Sequence, residues 1–209
     1  MMNWPTTFME PESLRQRLAA MSILDVILCS EDWLRRYQYN PRWDEDAALA
    51  SVRNGAGDEI YIVFTPEGVI VKGFDHESGM SPYAREDGEI WPGIYEQTPS
   101  SLLDRLNDEA LGKEDVTFCL WRESGDQVWR CGEIDFKGLD DGSRFLLGMI
   151  YEAPQDYVDW AEDYYDMKLP VDIVAQVYKG EPVSEEMILA LNPERDVRIV
   201  LKEIYEIGK

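Results

Sequence analysis

A single histidine, His76, serves all 209 residues. This excludes any site built on two imidazoles of one chain, including the His-Glu-x-x-His metal pattern, and leaves at most one conventional histidine base. Cysteine is nearly as scarce. Cys29, Cys119 and Cys131 are odd in number and form no C-x-x-C pair, so reduced thiols in a cytoplasmic setting are expected. Basic residues number 20 against 42 acidic ones, and nothing forms a basic stripe, which argues against nucleic acid as a partner. No apolar run approaches the roughly 20 residues of a membrane helix. Residues 1–5 lack the basic start and long apolar stretch of a secretory leader. Also missing are a Gly-x-Gly-x-x-Gly helix opening, a phosphate loop and a Gly-x-Ser-x-Gly nucleophile elbow. These absences weaken the case for an enzyme without removing it, and they give no reason to expect a cofactor or a metal.

Acid and aromatics are what the chain has in quantity. The net charge is -22, and it is not a tail. Residues 140–209 hold 16 acidic and 7 basic residues, a net of -9, which leaves -13 for residues 1–139. A negative coat disperses a protein in water, repels phosphate backbones and anionic lipid, and attracts cations or basic proteins. Seven tryptophans and eleven tyrosines, within 44% hydrophobic residues, supply a large core and argue against disorder. The length suits one domain over residues 1–209, with 142–209 as a candidate helical subdomain.

Periodicity orders the elements. Residues 11–28 read as a helix, with Pro11 in its first turn and Leu14, Leu18, Met21 and Leu28 near the helical period. Residues 35–40 suit a short strand with Tyr37 and Tyr39 on one face. Residues 44–53 suit either a strand or a short helix. Residues 60–64 and 69–72, joined by Thr65-Pro66-Glu67-Gly68, form a hairpin. Residues 75–98 read as a long loop, a kind that is usually functional or mobile. A short helix after Pro99 turns Leu102, Leu103 and Leu106 inward. A second hairpin joins residues 116–122 to 128–131. With Ser124-Gly125-Asp126 as its loop, Trp121 falls opposite Trp129 and Cys119 opposite Cys131, while Phe118, Leu120 and Val128 share the other face. Two apolar faces place that hairpin centrally in the sheet.

Five helices follow. They cover residues 143–151, then 154–165 with Tyr157, Trp160, Ala161 and Tyr164 on one stripe. The next opens at Pro170, with Val171, Val174 and Tyr178 inward and Gly180 as its stop. Ser184 caps the fourth, and residues 194–206 carry Val197, Val200, Leu201 and Ile204 at helical spacing. A helix, then strands over residues 35–135, then helices is the segregated order of an α+β fold with a mainly antiparallel sheet.

Four constellations carry chemistry. Asp75, His76, Glu77 and Ser78 sit where a strand enters the long loop. They could ligate a cation or orient an imidazole base, but alternation opposes His76 to its acidic neighbours, and satisfying loop backbone is the simpler role. The tryptophans at 33, 43, 91, 121, 129 and 160, with Tyr37 and Tyr39, form either a large mixed core or a binding face. Trp91 stands apart because it lies in the loop, where it either pins the loop or meets a partner. Cys119 and Cys131 read as small buried hydrophobes or as a redox pair. Asp156, Asp159, Glu162, Asp163 and Asp166 line one face of the helix from Pro154, as a solvated surface or as a patch for a basic protein.

The stretches Arg35-Arg36-Tyr37-Gln38-Tyr39-Asn40, Lys72-Gly73-Phe74-Asp75-His76-Glu77-Ser78, Trp91-Pro92-Gly93 and Thr117-Phe118-Cys119-Leu120-Trp121-Arg122 resemble those of a group of uncharacterised bacterial proteins, over most of residues 24–165. The resemblance implies a bacterial cytosolic setting and carries no activity, cofactor or site. In charge, size and class the chain also resembles the immunity proteins that neutralise bacterial toxins.

The expectation is therefore a non-enzymatic, immunity-like binding protein that engages a basic partner, with neither nucleic acid nor membrane involved. The competing expectation is a small-molecule or enzymatic site formed by Asp75, His76, Glu77 and Ser78 with the Trp91 loop. A DNA mimic, with carboxylates spaced like phosphates, is a third.

Overall fold

The computed structural model describes residues 8–208, so the reading of residues 1–5 lies outside it. Its frame is a six-stranded antiparallel meander in the order β1-β2-β3-β4-β5-β6. The strands are β1 (Tyr37–Asn40), β2 (Ala48–Arg53), β3 (Glu59–Thr65), β4 (Gly68–Phe74), β5 (Phe118–Glu123) and β6 (Arg130–Cys131). The helices are α1 (Pro11–Leu28), α2 (Ser100–Leu103), α3 (Ser143–Leu147), α4 (Pro154–Tyr165), α5 (Val171–Tyr178), α6 (Glu185–Leu191) and α7 (Val197–Ile207). The α+β class with a leading helix, an antiparallel sheet and trailing helices is what the sequence predicts.

Local chemistry explains the boundaries. Pro11 opens α1 and Pro154 opens α4, where a missing N–H does no harm. Ser184 accepts from Met187 N to cap α6, and Asp196 accepts from Arg198 N and Ile199 N to cap α7. Within residues 44–53 only Ala48–Arg53 forms a strand, β2, which bridges β1 and β3.

Strand alternation splits the core into two layers. Ile60, Ile62, Phe64, Val69, Val71, Phe118 and Leu120 turn one way, toward α1 and the C-terminal helices. Tyr61, Val63, Ile70, Cys119 and Trp121 turn the other way. There the cover is Met80, Trp91, Ile94, Leu102, Leu106 and Leu111, from loops and short turns of helix. The long loop is strapped to the segment after β6. The Trp91 indole donates to Asp135 O at 3.1 Å, and Ser78 Oγ donates to Asp140 O at 2.6 Å. Gly93, at φ 93, lies so close that a Cβ there would stand 2.3 Å from Glu133 O. Trp91 thus pins the loop.

Several finer expectations fail. The second hairpin is one residue out of the expected register: Leu120 faces Cys131 and Trp121 faces Arg130. A one-residue slip moves each side chain to the other face. Trp129 therefore joins the helix layer, 1% exposed, with its indole bonded to Met9 O and its ring against Phe8. Cys119 is buried in the loop layer while Cys131 is exposed, so the two are not side by side on one face, and Val128 is exposed. The turn is longer than the three residues expected: Glu123 O accepts from Asp126 N and Asp126 O accepts from Arg122 Nε. The helix expected over residues 143–151 stops at Leu147, and Val171 and Tyr164 are exposed rather than inward.

Candidate functional site

The strand end at His76 folds around a residue that sequence reading missed. Asp58, 6% exposed, accepts from the His76 backbone N–H at 3.0 Å and lies 2.7 Å from His76 Nδ1, all through Oδ1. Its Oδ2 accepts from Asn54 Nδ2 at 2.5 Å. Burial pushes the Asp58 carboxyl up, but the bonds from His76 and Asn54 prevail and hold it below the usual range. The same Asp58 bond raises the His76 imidazole above its ordinary value. The signal that could have found Asp58 is the Asn-Gly-Ala-Gly-Asp turn at residues 54–58, which precedes the strand pairing with β4.

The neighbours of His76 are placed as loop anchors. Asp75 accepts from Glu77 N at 2.9 Å, and Asp75 N donates to Thr117 Oγ1 at 3.1 Å. Ser78 accepts from Met80 N and reaches Asp140 O. Glu77 is exposed. Asp58, Asp75 and His76 each offer one ligand atom within 4.8 Å of the others, a spacing that a divalent ion could bridge. Hydrogen bonds within the turn already account for all three groups. Trp91 belongs to the loop layer, with Arg85 and Lys137 against its ring at 5.2 and 5.4 Å.

The acidic helix offers a different surface. Asp156, Asp159, Asp163 and Asp166 are exposed along α4 and its end, and Glu162 is half-buried. Two of the five carboxylates have local duties: Asp159 accepts from Gln155, and Glu162 binds Lys168 and Leu169 N. The Lys168 pair holds Glu162 below the usual carboxylate range. Asp156, Asp163 and Asp166 face solvent.

This face continues into an aromatic one. Trp160 stacks on Tyr164 at 5.1 Å, and Arg36 lies 4.2 Å over the Trp160 ring. The Tyr164 hydroxyl donates to Leu34 O at 2.9 Å, fastening α4 to the 3₁₀ turn Asp32–Leu34. That turn holds Trp33 78% exposed, beside exposed Glu31 and Asp32. Arg35 anchors the turn from below: it is 9% exposed, donates to Cys29 O and Glu203, and pairs with Asp32 at 3.1 Å. A large indole is thus held outward on a fixed turn, flanked by acid and one bond away from the α4 face.

Among the described residues no helix is long and apolar enough to cross a membrane. Comparison with known proteins adds no function: no family model matches the chain, and neither curated proteins nor solved structures match it.

Proposed function

We propose that the chain is a cytoplasmic, non-enzymatic binding protein, immunity-like in action, that engages a basic protein through the α4 acid face and Trp33. The observation that supports this most is the exposure of Trp33 on an anchored turn bordered by carboxylates. Trp33 supplies the flat apolar anchor typical of the centre of a protein interface, and it can also stack under a lysine or arginine. The surrounding acid, within a net charge of -22, accelerates encounter with a positive surface and selects against anionic partners.

The test is a low-salt pull-down from the source cell with three baits: wild type, Trp33→Ala, and a variant with Asp156, Asp159, Asp163 and Asp166 changed to Asn. A basic protein should be captured by the wild type and released as salt is raised. Trp33→Ala should weaken the complex by about tenfold or more, an anchor residue being worth roughly 2 kcal/mol. Recovery of no basic protein, or equal capture by all three baits, overturns the reading. Recovery of a DNA-binding protein that duplex DNA displaces would favour the DNA mimic.

A further inference from the structure

The turn that carries Asp58 contains the one Asn-Gly pair of the chain, Asn54-Gly55. A backbone nitrogen can attack the side-chain carbonyl carbon of the asparagine before it. Glycine permits this best, because no Cβ crowds the ring that forms. The other asparagines are less well placed. Asn40 and Asn192 precede proline, which has no N–H to react, while Asn3 precedes Trp4 and Asn107 precedes Asp108. Gly55 is exposed, sits at φ 76, and has open space where a Cβ would stand.

The turn holds the Asn54 amide group at both ends. Its Oδ1 accepts from Ala56 N at 2.8 Å and from Asp58 N at 3.2 Å. Two backbone N–H groups on that oxygen steady the negative charge it gains when its carbon is attacked. Its Nδ2 donates to Asp58 Oδ2 at 2.5 Å. That bond makes the position consequential. Asp58 is 6% exposed, and its Oδ1 holds both the His76 backbone N–H and the imidazole. With a carboxylate in place of the Asn54 amide, two acidic oxygens meet where a donor met an acceptor. At that distance they cannot both stay ionised and in place. Asn54 is half-buried and has the shorter path to water.

We propose that Asn54 is a self-modification site whose product, a carboxylate at position 54, opens the Asp58–His76 turn. The Gly55 nitrogen bonds to Asn54 Cγ and gives its proton to water. The Cγ–Nδ2 bond breaks, and Nδ2 leaves as ammonia with a proton taken from solvent. Water then adds to either carbonyl of the cyclic imide, giving aspartate or isoaspartate. The sum is amide plus water to carboxylate plus ammonium, with no oxidant and no cofactor. The chain thus carries a slow, one-way release of the strand end at His76, independent of the partner face on α4.

Ageing the full chain in warm, mildly alkaline buffer, then mapping its peptides by chromatography and mass spectrometry, tests the proposal. The peptide with residue 54 should gain about one dalton and split into two elution forms, aspartate and isoaspartate. Released ammonia should match that conversion. Asn107 should lag well behind, and Asn40 and Asn192 should keep their amides. Amide exchange at Ala56, Asp58 and His76 should rise about tenfold or more in the modified chain, as loss of one charge-assisted bond from a local opening does. Asn54→Asp should reproduce that rise. If that variant does not fold, the aged chain, separated by its added negative charge, gives the same reading. An Asn54 amide as durable as that of Asn107, or exchange at the turn unchanged in the modified chain, overturns the proposal.

Discussion

Asp25 and Lys72 are the two Asp, Glu, Lys or Arg side chains at 0% exposure among the described residues, one on each face of the sheet, and they are held in different ways. Under the helices, Asp25 of α1 is fully buried and accepts from Tyr37 N at 2.9 Å and from the Tyr157 hydroxyl at 2.8 Å. Among the described residues no cation forms an ion pair with it. Burial pushes its carboxyl up to about 6, against the pull of those bonds. Under the loops, Lys72 of β4 is equally buried but has a carboxylate, Glu59, at 3.3 Å and the Leu111 carbonyl at 2.8 Å. Burial pushes Lys72 down, and Glu59 opposes that. The difference follows from what each layer lacks. Regular helices satisfy their own backbones, so Asp25 joins elements through β1 and α4. The loop layer leaves carbonyls such as that of Leu111 without a ladder partner, and a buried ammonium gathers one of them.

The comparison breaks most visibly at Asp25. Asp25→Ala leaves the Tyr37 N–H and the Tyr157 hydroxyl unpaired in the core, and should cost about 3 kcal/mol in denaturant unfolding. A loss below about 1 kcal/mol would mean that apolar packing alone joins α1, β1 and α4. The sign of its pH effect is equally specific. A carboxyl raised from 3.8 to about 6 favours the folded state when protonated. Its stability contribution is thus complete below pH 4 and lost as pH rises through about 6, roughly 3 kcal/mol in all. Asp25→Asn cannot ionise and should flatten that part of the stability curve between pH 4 and 7.

The loop side should respond less. Lys72→Met removes the buried charge with its length retained, leaving Glu59 free to rotate to water, and should cost about 1–2 kcal/mol. Hydrogen exchange should rise first in residues 109–117, around Leu111. Uniform acceleration across the sheet would contradict a local clamp. The smallest effect belongs to His76, whose raised imidazole keeps its bond to Asp58 below its ordinary value and loses the charged form as pH climbs through the folded one. His76→Ala should loosen amides of the 54–58 turn while the global unfolding midpoint holds.

Much of this could be read from residue order. The 3.6-residue stripes placed α1 and α4, and the Thr65-Pro66-Glu67-Gly68 turn placed the β3–β4 pairing, where Thr65 faces Gly68. The second hairpin was legible only to within one residue. Its turn is shaped by contacts from afar, since Ser124 N donates to Glu67 O and Trp129 is captured by Phe8 and Met9. Around His76, spacing showed the adjacent acids but not Asp58, which stands 18 residues away and arrives through strand pairing. Trp33 and Trp129 look alike as letters, yet one is 78% exposed and the other 1%.

By itself the sequence determined the class, the order of helices and strands, and the charge of the surface, because these follow from periodicity and composition. Only the tertiary structure decided which tryptophan faces solvent and which acid is buried. Those properties depend on neighbours far apart in the chain, and burial is settled by what packs on top.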